Sequence, residues 1–144
     1  MPAAQNWVMW ALFSAVFAAL TAILAKVGLE GIDSDYATLF RTAVILVVLG
    51  GFVYATGKWR SPASVPGRSA VFLVLSGLAT GASWVCYFRA LKAGDASRVA
   101  PIDKLSVVLV ALFATAFLGE RPAPRDWLGI GCVGFGVLLL SWRR

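Results

Sequence analysis

Apolar residues fall into five long runs separated by short clusters of Gly, Pro and charged residues. The runs recur about every 30 residues and most are about 20 long, the length a helix needs to cross hydrocarbon. None shows the strict apolar and polar alternation of an outer-membrane barrel strand. Lipid also requires backbone polar groups to pair within each segment, so the runs read as helices. The pattern predicts an all-α membrane protein with spans over about 7–27, 36–54, 69–91, 97–118 and 127–142, forming a single domain over 1–144.

The connections carry matching stop and start signals. Asn6 is placed to cap the first span, with Trp7 and Trp10 as interfacial aromatics, and Gly28 and Gly31 end it. Asp33, Ser34 or Asp35 can cap the second span. The basic, Pro- and Gly-containing stretch from Lys58 to Arg68 reads as a surface loop. Gly77-x-x-x-Gly81 in the third span is a small-residue motif that permits close helix contact, although such motifs also arise by chance in Gly-rich spans. Lys92-Ala-Gly94 closes that helix, and Asp95 or Ser97 caps the fourth. The fifth run lies between Trp127 and Trp142, and Gly129, Cys132 and Gly136 share one face of it. That strip suits either a contact between subunits or ordinary packing within one. Arg143 and Arg144 end the chain as an interfacial anchor.

Composition agrees with this reading: 60% of the 144 residues are hydrophobic, and the mean hydropathy is +0.81. Soluble domains hold roughly 45–50% apolar residues. The N-terminal stretch before Trp7 has no Lys or Arg, so the first run lacks the basic region of a signal peptide and is expected to stay as a span. Cys86 and Cys132 lie inside apolar runs without metal-type spacing, so neither a zinc site nor a disulfide framework is indicated. The net charge of +6 is spread over loops and spans, which argues against nucleic acid as a partner.

Five spans place the two ends of the chain on opposite sides of the membrane. One side takes Lys58, Arg60, Arg68, Arg121 and Arg125, and the other takes the remaining eight of thirteen basic residues. Three of those eight, Arg41, Arg89 and Lys104, lie inside spans. With them set aside the two sides balance, and the positive-inside rule expresses no preference. The balance permits dual topology, and a single orientation fixed by the first loop or a partner is the alternative.

Lys26, Arg41, Arg89, Asp103 and Lys104 come from four different spans and fall in the same half of the bilayer. Lys and Arg can bury their stems and return the charge to the interface, and for Lys26 this snorkelling is the favoured reading. Asp103 has one methylene and cannot do so. An ionised Asp at a span centre costs about 2.5–3.5 kcal/mol on insertion scales, so it needs a partner, a proton or a watery cavity. Lys104 points about 100° away around the helix, which leaves Arg89 as the better cross-helix candidate. Pro101 frees a carbonyl near Ser97 just before the charged pair, a loosened start like the broken helices that line transporter sites. The alternative is a proline tolerated in the first helical turn.

Phe88-Arg-Ala-Leu-x-x-Gly-x-Ala-Ser97, Val99-x-Pro101, a long apolar run ending Leu118-Gly-Glu-Arg-Pro122 and the Gly-rich last span together resemble the EamA repeat of the drug/metabolite transporter superfamily. Most members look like ten-helix proteins built from two inverted five-helix repeats, and only one repeat is present here. The resemblance implies a homodimer, with an antiparallel pair supplying the two halves, in a bacterial or archaeal inner membrane. It also implies a path lined by Trp84, Tyr87, Arg89 and Asp103, joined by Arg41 and Lys104 at the same level, with Pro101 as a hinge and Gly129, Cys132 and Gly136 at the dimer contact. Asp103-Lys104 is not a general mark of the superfamily, so substrate identity does not transfer from ten-helix members.

The expected function is secondary transport, as an exporter, of a small organic metabolite or drug by alternating access, with Asp103 responding to protons or substrate. The partners expected are the lipid bilayer, a small-molecule substrate and a second copy; no cofactor is implied. The alternative is a non-transporting helical partner within a larger membrane complex, although interhelical polar contacts are worth only about 0.6–2 kcal/mol. An enzyme is disfavoured, because the chain has no His, no Gly-x-Ser-x-Gly elbow, no phosphate loop and no second carboxylate beside Asp103.

Overall fold

The computed structural model describes residues 3–142, and helix is the only regular structure among them. In chain order these are α1 (Ala3–Gly28), α2 (Ser34–Ala55), a 3₁₀ turn (Pro62–Ser64), α3 (Gly67–Ala93), α4 (Ala96–Asp103), α5 (Leu105–Phe113) with a π turn (Ala114–Leu118), and α6 (Pro124–Ser141). Four stretches are long and apolar enough to cross a membrane: Trp7–Gly28, Ser34–Ala55, Gly67–Ala93 and Ala96–Leu118. The remaining helix, α6, opens on Pro124-Arg-Asp and has a shorter apolar part. Most large apolar side chains stay exposed on the single chain, such as Leu46, Val47 and Leu73. Water would not tolerate that surface, whereas lipid does. The protein is an integral, multi-pass membrane protein.

The helix ends follow local chemistry. Asp33 is the N-cap of α2, and its Oδ1 accepts from the backbone N–H of Asp35 at 2.9 Å and of Tyr36 at 3.1 Å. At the far end Gly57 takes φ +66. There the Lys58 N–H reaches the Val53 carbonyl and the Gly57 N–H the Tyr54 carbonyl, both at 3.0 Å, the paired closure that a left-handed residue makes possible. Gly119, at φ +69, plays the same part after the π turn. α1 already begins at Ala3, so Asn6 lies within that helix and is not its cap. Asp95 holds the N-cap position of α4 without a side-chain bond. Asp126 stabilises the start of α6, accepting from the Ala123 N–H at 2.8 Å. Arg143 and Arg144 lie outside the described residues.

The span expected over 97–118, with a loosened start at Pro101, is interrupted. Pro101 sits inside α4, where it has no N–H for the Ser97 carbonyl and crowds it. The disturbance surfaces three residues later. The Lys104 N–H bonds the Pro101 carbonyl at 2.9 Å and the Val107 N–H bonds the Lys104 carbonyl at 3.0 Å, both three residues back, so the chain tightens into 3₁₀ geometry there.

Contacts divide the chain into two compact units, one of Leu24–Lys92 and one of Met1–Ile23 with Ala93–Arg144. In the second of these, α6 packs on both α4 and α5 and so splints the break at Lys104. Ile130, Gly134 and Val137 lie on one face of α6 and are its less exposed positions there, with Val137 buried. A Cβ added at Gly134 would come within 3.2 Å of Val108 Cγ2, so glycine sets how closely α5 and α6 approach. In the unit of Leu24–Lys92, Leu29, Ser34, Thr38, Phe88 and Leu91 are buried. Thr38 bonds the Ser34 carbonyl at 2.8 Å, which satisfies its hydroxyl within the helix. Gly77 and Gly81 would meet no neighbour with an added Cβ, so their motif makes no close contact among the described residues.

Candidate functional site

In the unit of Leu24–Lys92, long side chains tie the end of α1 and the start of α2 to the end of α3. Arg89 grips Asp35 with two parallel bonds, Nε to Oδ1 at 2.8 Å and Nη2 to Oδ2 at 2.6 Å. Such a fork is the strongest geometry open to an Arg and a carboxylate. Both side chains remain about half exposed, at 62% and 48%, so the pair is a rim strut and not a buried bridge. The sequence favoured Asp103 as the partner of Arg89 and treated Asp35 only as a capping residue. The one sign of the actual pairing was that α2 begins beside Asp35 on the side of the membrane where α3, expected to run the other way, ends near Arg89.

The two lysines nearby are bound to backbone. Lys26 donates to the Leu91 carbonyl at 2.6 Å, and Lys92 donates to the Ile32 carbonyl at 2.5 Å. Leu91 is in the last turn of α3, whose final carbonyls have no partner inside the helix and whose negative end suits a cation, whereas Ile32 lies in the connection between α1 and α2. Lys26 thus caps the end of α3.

Arg41 lies six residues beyond Asp35 along α2, about 9 Å deeper at roughly 1.5 Å per residue. Its guanidinium carbon is 4.4 Å from the centroid of the Trp84 ring and 5.1 Å from that of Phe88. Trp84 and Phe88 are one helical turn apart on α3 and form a continuous aromatic face. Tyr87 packs edge-on against Phe88 at 6.4 Å. An Arg well inside an apolar span costs about 2.5–3.5 kcal/mol on insertion scales, and contact with ring faces offsets part of that. Arg41, Trp84 and Tyr87 are thus gathered around Phe88, which the sequence did not single out, while Arg89 belongs to the rim.

In the other unit Asp103 ends α4 and Lys104 forms the break before α5. Their charged atoms are 3.5 Å apart with both side chains substantially exposed, a weak contact at the limit of a hydrogen bond. On α6, Gly129 and Gly136 would meet nothing with an added Cβ, and Cys132 is exposed. The glycine that packs within the chain is Gly134, on a different face.

Charged groups held inside long apolar helices, one of them broken beside a carboxylate, are features of membrane transporters. The profile of the EamA-like transporter family matches residues 5–142. The chain belongs to that family, within the drug/metabolite transporter superfamily, and the match covers one repeat. An uncharacterized transporter in the cobO 3' region of a Sinorhizobium species is 60% identical over 137 residues, 95% of this chain and 97% of that protein. Probable 4-amino-4-deoxy-L-arabinose-phosphoundecaprenol flippase subunits ArnE of Yersinia pestis and Yersinia pseudotuberculosis are 34% identical over 71 residues, 49% of this chain and 62% of theirs. No solved structure matches the chain.

Proposed function

We propose that the protein is a secondary transporter, an exporter of a small organic metabolite or drug, in a bacterial inner membrane. The observation that carries this reading is the family match over a single repeat. One repeat supplies half of a path, and a second copy is the simplest source of the rest. α6 then serves as the fifth span, with the two ends of the chain on opposite sides. On its face of Gly129, Cys132 and Gly136 a Cβ added at either glycine would meet no described residue and Cys132 is exposed, which suits a contact with the second copy. The balance of loop charges favours an antiparallel pair. Asp103 would respond to protons or substrate, and Pro101 with the break at Lys104 would give the hinge on which alternating access turns.

Reporters fused to the C-terminus should give signal from both sides of the membrane. Signal from one side alone removes dual insertion and with it the antiparallel pair. Transport itself is tested by uptake into liposomes that hold only this chain, using a compound that raises its melting temperature in detergent.

A second reading rests on one detail of the comparisons. The Yersinia relatives are described as flippase subunits, so their likeness also suits a helical partner within a larger membrane complex. Co-purification of an unrelated membrane protein in fixed stoichiometry, with no ligand that stabilises the chain, favours that reading.

A further inference from the structure

We propose that Arg41 is an oxyanion receptor, held by Trp84 and Phe88 so that its guanidinium can take a phosphate or carboxylate group in two parallel hydrogen bonds. The basic side chains around it are already engaged: Arg89 by Asp35, Lys92 by the Ile32 carbonyl and Lys26 by the Leu91 carbonyl. Arg41 makes no hydrogen bond and no ion pair among the described residues; the two ion pairs found there belong to Arg89 with Asp35 and Lys104 with Asp103. Contacts with two ring faces use none of its five N–H donors, which lie in the guanidinium plane. The side chain is half-buried, and no buried donor among the described residues lacks a partner, so the donors stay within reach of a ligand.

An Arg placed this deep in an apolar helix needs an acceptor, and no residue among those described accepts a hydrogen bond from it. The aromatic clamp restricts the guanidinium before the ligand arrives, which lowers the ordering cost of binding. Lysine would place a single charge there but could not offer the planar fork. This assignment rests on the transport reading only for the ligand's role as cargo. The group bound is either a soluble anion or the phosphate of a lipid headgroup.

The test uses the full chain in nanodiscs and reads binding, so that its failure is separable from failure to transport. Inorganic phosphate is titrated calorimetrically into protein in phosphatidylcholine discs. In the second arm, native mass spectrometry measures retention of phosphatidylglycerol from mixed discs. Wild type should bind in at least one arm, and Arg41→Gln should weaken that binding about tenfold or more, the scale of losing charge-assisted bonds. Arg41→Lys should recover it only in part, and Trp84→Leu, which leaves Arg41 in place but removes a ring face, should also weaken it. Binding in the phosphate arm alone identifies a soluble anion, and in the lipid arm alone a headgroup. Equal behaviour of wild type and Arg41→Gln in both arms, with unchanged helix content, overturns the assignment. So does absence of binding to wild type.

Discussion

Leucine at Gly134 will lower the melting temperature and the yield of folded protein, whereas leucine at Gly129 or Gly136 will leave both near wild type and convert the proposed dimer to monomer. A Cβ alone at Gly134 would stand 3.2 Å from Val108 Cγ2, tighter than ordinary contact. Alanine there should be nearly neutral, because a shift of a few tenths of an ångström is offset by the gain of up to about 1 kcal/mol that alanine brings to a helix interior. Leucine adds three further carbons on the side of Val108, which should push α6 away from α5. Overpacking of this kind typically costs about 1–3 kcal/mol. Because α6 also rests on α4, the damage should extend to the break at Lys104. A Cβ at Gly129 or Gly136 would meet no described residue, so a larger side chain there is expected to act mainly on what lies outside the chain. Light scattering of detergent-purified variants, together with their thermal unfolding, distinguishes the two effects. Identical behaviour of all three leucine variants would contradict the separate roles given to the two faces of α6.

Asp103→Asn is expected to abolish uphill transport driven by a proton gradient while leaving exchange of substrate across the membrane largely intact. The substitution keeps the shape and removes the charge that Asp103 contributes at the end of α4. Fold stability should hardly change, because the contact with Lys104 is long and exposed. Lys104→Gln breaks the same contact and serves as the control, since a residue that only snorkels should leave coupling intact. Unchanged coupling in Asp103→Asn would remove the role proposed for that carboxylate. Equal loss in Lys104→Gln would assign the effect to the pair.

Helices were legible because apolar runs of this length have one satisfactory backbone solution in lipid, and boundaries such as the Asp33 cap followed from residue chemistry alone. Pro101 signalled a weak point, and the break appears three residues beyond it, at Lys104, where the backbone bonds run three residues back. The grip of Arg89 on Asp35 joins residues 54 positions apart and depends on how two helix ends meet, which no local pattern encodes. Arg41 and Trp84 were both evident as polar or aromatic residues in spans. Their stacking, and the part of Phe88 in it, comes from the register of α2 against α3. Among the glycines of α6, periodicity pointed to Gly129 and Gly136, whereas packing within the chain uses Gly134 because Val108 lies opposite. Sequence spacing finds a smooth face, and only a neighbour's position shows which smooth face is filled.

The central claim, that this chain by itself forms a transporter, is tested most directly by uptake of a stabilising compound into proteoliposomes reconstituted with the purified chain alone. Saturable uptake that an imposed proton gradient drives, and that is lost in Asp103→Asn, is the predicted result. Absence of uptake by the chain alone, with uptake appearing only when an unrelated membrane partner is added, would contradict it.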